Sequence, residues 1–117
     1  MGVDRDQMLA NLRRRDEQAR CEGDARAARL LALLPSAIEL LTTRYGARRV
    51  TLFGSLARGD ATARSDVDLA CEGIEPARYF QALADLMTHF SAPVDLVRFE
   101  EAPDSLRERI AHEGRVV

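Results

Sequence analysis

Leu52–Ala70 reads LFGSLARGDATARSDVDLA, and two strand-like segments meet across a turn inside it. Arg49–Phe53 is β-branched, aromatic and apolar, the composition of a buried strand. Gly54 and Ser55 punctuate it. Residues 56–60 suit one short helical turn, and 61–65 a polar loop. Asp66–Cys71 then alternates polar with apolar or small residues, the pattern of a second strand. In such a strand Asp66 and Asp68 share one face, about 7 Å apart, while Val67 and Leu69 point into the core.

Downstream, Pro76 opens a helix whose stripe is Tyr79, Phe80, Leu83, Leu86, Met87 and Phe90. Pro93 precedes a third strand, Val94–Phe99, which carries Asp95. Pro103 opens a last helix with Leu106 and Ile110 inward and Gly114 as its cap. Upstream, Asp4 or Asp6 caps a charged helix over 4–21, with Met8, Leu9 and Leu12 as its short apolar stripe and Gly23 as its end. Asp24 caps a second helix, which Pro35 breaks, kinks or restarts. Ile38, Leu41 and Tyr45 continue the helical spacing to Gly46. The order is helices, then strand–turn–strand–helix–strand–helix. The expected fold is therefore α/β (α+β): a small sheet with helices packed on it. The span 54–65 is short for a crossover between parallel strands, so a mixed sheet is expected. The expected organisation is an N-terminal helical extension, 1–34, and one catalytic domain, 35–117.

The bulk properties narrow the function. A chain of 117 residues with 46% apolar content suits one ordinary globular domain. A net charge of −2 gives no general attraction to polyanions, so no direct nucleic-acid partner is expected. All 17 basic residues are Arg, so any cationic side chain on a phosphate is a guanidinium. Cys21 and Cys71 read as reduced thiols. No apolar run approaches the roughly 20 residues that span a bilayer. The N-terminal residues lack the pattern of a signal peptide, and a cytoplasmic protein is expected.

Three carboxylates sit on strand patterns that should otherwise be apolar. On a neighbouring strand, Asp95 can join Asp66 and Asp68. Converging carboxylates repel unless a cation compensates them. Hard oxygen donors from few residues, with positions left for water and phosphate, suit Mg²⁺. Two such ions clamp both the attacking and leaving oxygens of a phosphoryl transfer. Gly54–Ser55 adds the partner such a site needs. A glycine turn lets backbone N–H groups and the Ser55 hydroxyl cradle phosphate oxygens. Taken singly, each element has a plainer reading: a solvated acidic strand face, a surface Asp95, an ordinary turn.

Gly54–Ser55, ten residues, then Asp66–x–Asp68 is the signature of the nucleotidyltransferase superfamily that includes DNA polymerase beta. The local sequence resembles the minimal nucleotidyltransferases nearly residue for residue through Phe53, Gly54, Ser55, Ala57, Arg58, Gly59, Ser65, Asp66, Asp68 and Leu69. PVDLV with Asp95, and LRERIAHEG near the end, are also similar, so the resemblance spans about 35–117. It implies a polymerase beta-like fold. It implies that Asp66 and Asp68 hold two Mg²⁺ ions, and that Asp95 holds the catalytic one and helps deprotonate the attacking hydroxyl. It implies that Gly54 and Ser55 hold the triphosphate of ATP, with Arg58 as the guanidinium on phosphate charge. Ser65 either joins that nucleotide site or caps the turn into the second strand.

The family also implies a partner. Its members are commonly antitoxins of prokaryotic pairs, transferring AMP from ATP to a tyrosine hydroxyl of a HEPN ribonuclease toxin. The little chain left beyond the site fits an acceptor carried on another macromolecule. Two other readings remain: a non-catalytic module that masks its partner by binding, and an enzyme acting on a small molecule such as an aminoglycoside. His89 reads as a surface or packing residue. Arg107 and His112 match the R-x4-H spacing of HEPN ribonucleases, but those are all-helical, so coincidence is the plainer reading. Arg13–Arg15, followed by Asp16 and Glu17, reads as a solvated helix face.

Overall fold

A computed structural model describes residues 5–117. Its elements are α1 (Arg5–Tyr45), β1 (Arg48–Phe53), α2 (Gly54–Arg58), β2 (Val67–Glu72), α3 (Tyr79–Phe90), β3 (Val94–Arg98), α4 (Asp104–Glu113) and β4 (Arg115–Val116), with 3-10 turns at Pro76–Arg78 and Phe99–Glu101. The sheet order is β3-β2-β1-β4. β1 runs antiparallel to β2 and β4, and β2 runs parallel to β3. The sheet is mixed, as the short β1–β2 connection requires.

Strand alternation divides the core. Val50, Leu52, Val67, Leu69, Cys71 and Leu96 face a layer built from α1 and α3, where Leu30, Leu34, Leu41, Leu86 and Phe90 are buried. Phe53 and Ala70 face the other way and pack on Ile110, with Val97, Phe99 and Leu106 around them. α4 covers only part of this second face. Phe53 is register partner of Asp68, so the carboxylates belong to this thinly covered side.

The N-terminal expectation needs correction. α1 is one helix of 41 residues with Pro35 inside it; Gly23 does not end it and Asp24 does not cap a second one. The cap assigned to Asp4 lies outside the described residues, and Asp6 sits in the first turn of α1. Pro35 has no N–H to give Leu31, but both lie on the exposed side of the helix, where water can take the carbonyl. Ser36 Oγ donates to Leu33 O over 3.0 Å, and His89 Nε2 lies 3.1 Å from the same oxygen. Gly23 is buried, and its packing outweighs its weak helix propensity. The segment 5–22 is exposed apart from half-buried Ala10, so this end of α1 projects from the body and the whole structure measures 64 Å in its longest dimension. Gly114 does close α4, its N–H donating to Ile110 O over 2.7 Å. The two-residue β4 beyond it was not anticipated; it pairs with Thr51 and Leu52.

Candidate active site

Asp68 and Asp95 are direct register partners across the parallel pair β2–β3. Register partners in neighbouring strands project to the same face, with Cβ atoms about 5 Å apart. Asp66 stands two residues before Asp68, immediately ahead of β2. Asp66 and Asp95 are exposed and Asp68 is half-buried. Burial pushes the Asp68 carboxyl up from 3.8 to about 6, with the charges of Asp95 and Asp66 adding to the shift. The guanidinium groups of Arg109 and Arg58 oppose it.

The β1–α2 turn lies against this group. Gly54 has φ +74°, and a Cβ there would overlap Asp68 Oδ2 and lie 2.9 Å from its Cγ. Gly54 is required twice: by its left-handed backbone, and by the carboxylate pressed onto it. The five-residue α2 starts here, with no side chain capping its N-terminus. Ser55 O accepts from the N–H groups of Gly59 and Asp60, which closes the turn.

Arg58 is held by two carboxylates, Asp60 at 3.2 Å and Glu113 at 3.1 Å. Glu113 also receives Arg109 Nε at 3.4 Å. Arg109 is therefore a second guanidinium bearing on the carboxylates. Sequence reasoning missed it; the signal available was its spacing of four from Glu113 on α4. Solvent-exposed ion pairs of this kind hold only weakly, so both guanidinium groups are free to change partners. Ser65 Oγ accepts from the Thr62 N–H over 2.7 Å, an arrangement that closes the turn before β2. Arg107 donates to Phe99 O and Glu100 O, a structural tether.

Among the described residues, no three Asp, Glu, His or Cys side chains are drawn in closely enough to cage a metal ion. Uncompensated carboxylates repel; the Asp68 carboxyl is raised first by its burial, and the charges of Asp95 and Asp66 add to that. The donor set fits Mg²⁺: hard oxygens, adjacent strands, and a mutual repulsion that a divalent cation would relieve.

A family model described as polymerase beta, nucleotidyltransferase matches residues 36–117. The chain belongs to the polymerase beta nucleotidyltransferase family. A solved minimal nucleotidyltransferase is 32% identical, with 77% of this chain and 90% of that one covered and a TM-score of 0.59. A toxin–antitoxin crystallised with AMP-PNP shares the fold at 22% identity, covering 69% of each chain with a TM-score of 0.62. A nucleotidyltransferase from Sulfolobus solfataricus aligns at 24% identity over 81% of this chain and 85% of that one, TM-score 0.51. No curated protein sequence matches. Among the described residues, no helix is long and apolar enough to cross a membrane.

Proposed function

We propose that residues 35–117 form a catalytic unit that transfers AMP from ATP to a tyrosine hydroxyl of a HEPN-type ribonuclease toxin and so neutralises it. The observation that carries this reading is the Asp68–Asp95 pairing beside Gly54. The similarity to a toxin–antitoxin solved with AMP-PNP supports the nucleotide and the class of partner.

In this reading Asp66, Asp68 and Asp95 hold two Mg²⁺ ions. When bound, these ions supply charge neutralisation for the triphosphate and an acidified hydroxyl for attack. The turn at Gly54–Ser55 seats the triphosphate tail with its backbone N–H groups and the Ser55 hydroxyl. Arg58 and Arg109 swing from Glu113 onto phosphate oxygens. The acceptor oxygen bonds to the α-phosphorus as the bond to the bridging oxygen breaks. Pyrophosphate leaves, and the acceptor proton passes to the Asp95 carboxylate and then to water. Positioning and charge, rather than covalent catalysis, lower the barrier.

The test is incubation with α-labelled ATP, Mg²⁺ and a HEPN-type toxin of the class proposed as partner. The expected result is label on the toxin and loss of its ribonuclease activity. An unlabelled, still active toxin contradicts the reading. Neutralisation that survives an Asp66→Ala, Asp68→Ala double substitution assigns the effect to binding alone.

A further inference from the structure

α1 meets the loop that delivers Asp66 at two adjacent points. Gly23 is buried within the helix, and a Cβ there would lie 2.6 Å from Ala61 O and 3.2 Å from Thr62 Cα. One turn on, half-buried Arg26 donates from Nε to the Ser65 carbonyl over 2.9 Å. Ser65 is the residue before Asp66. On the other side of Asp66, the Val67 N–H donates to Pro93 O over 3.1 Å, at the entry to β3. The peptide units flanking Asp66 are thus gripped from both sides, by α1 and by the lead-in to β3. Both α1 residues precede the stretch 36–117 that matches the family model.

We propose that Gly23 and Arg26 are positioning residues for Asp66, so that the N-terminal helix sets the geometry of the metal site. The proposal rests on reading Asp66 as a metal ligand. A glycine in mid-helix costs stability unless something must come close, and here the backbone of Ala61 and Thr62 does. A guanidinium donating to a carbonyl makes a charge-assisted bond, stronger than a neutral one. A polar surface loop left to itself is mobile, and groups that hold a metal ligand in place commonly change metal affinity by 10–100-fold. Helix α1 therefore acts on the site without touching substrate.

The experiment is Mn²⁺ titration of the full chain, read by EPR of free Mn²⁺, together with hydrogen exchange of the amides in 62–67. Arg26→Ala should weaken Mn²⁺ binding about tenfold, at the lower end of the range for such contacts, and speed exchange at Ser65. Arg26→Lys should recover part of the loss, since an ammonium can still reach the carbonyl. Gly23→Ala should weaken binding in the same direction although Ala is the better helix former. In an Asp66→Asn background, Arg26→Ala should add nothing. Wild-type Mn²⁺ affinity in Arg26→Ala, with Asp66→Asn impaired, overturns the positioning role alone. Mn²⁺ binding indifferent to Asp66→Asn overturns the ligand role and this proposal with it.

Discussion

Replacing Gly54 by Ala tests the closest approach in the site. The residue sits at φ +74°, where a side chain costs about 1–2 kcal/mol of backbone strain. That strain alone should lower the melting temperature by about 4–10 °C for a domain of this size. The second effect is local. The new Cβ would overlap Asp68 Oδ2 and stand 2.9 Å from Cγ, well inside ordinary contact at 3.4 Å. The carboxylate must retreat by on the order of 1 Å, and a displacement of that size costs about 10²-fold in rate, or about 2.7 kcal/mol of transition-state stabilisation. Gly59→Ala separates the two effects. Its φ is +83° but nothing lies within 4 Å of its Cβ, so it carries the strain without the overlap. The assay is initial rate of labelled AMP transfer at saturating ATP and Mg²⁺, paired with a thermal melt. Both variants should melt lower by similar amounts, and Gly54→Ala alone should lose about 10²-fold in rate. Equal rates in the two variants would refute the claim that Gly54 makes room for the Asp68 carboxylate.

Four further outcomes rest on the charges and thiols. Asp68→Asn should abolish transfer yet raise the melting temperature of the metal-free chain at pH 7.5, because it removes a half-buried charge facing Asp95 and Asp66. The folded chain keeps the Asp68 proton up to about pH 6, whereas the ordinary value is 3.8; this group therefore lowers metal-free stability as pH rises across that window, visible as a shallower decline in Asp68→Asn melts. For the same reason Mn²⁺ affinity should fall as pH drops below about 6, when the proton competes for the carboxylate. Exposed Cys21 should react with a thiol reagent at once, while Cys71, 1% exposed and with its thiol pushed up by burial to about 11, should react only on unfolding.

The parts of the molecule set by short-range pattern were readable in the sequence. Arg49–Phe53 and Asp66–Cys71 became strands β1 and β2 within a residue at each end, because alternation and β-branching over six residues leave few other structures. The convergence of Asp68 with Asp95 depends on strand order and register, which no local pattern encodes. The N-terminal helix misled for a related reason. Gly23 and Pro35 read as breaks because their local cost is real. Gly23 is the residue that the close approach of 61–62 admits, and Pro35 lies where the carbonyl it leaves without an N–H faces solvent; one is a long-range fact and the other a solvent one. Ser65 was legible as either a turn or a nucleotide residue; its hydroxyl is bonded within the turn. Arg109 escaped notice because its neighbourhood to Asp68 arises only when α4 folds over the open face of the sheet.

The central claim is that the Asp66, Asp68 and Asp95 carboxylates and the Gly54–Ser55 turn together bind a metal–triphosphate. A crystal structure with Mn²⁺ and a non-hydrolysable ATP analogue tests it most directly, through the anomalous signal of manganese. The account predicts two manganese peaks among the three carboxylates, with the triphosphate running along the Gly54–Ser55 turn. Manganese with no oxygen from Asp68 or Asp95, or a nucleotide seated on another face of the sheet, would contradict it.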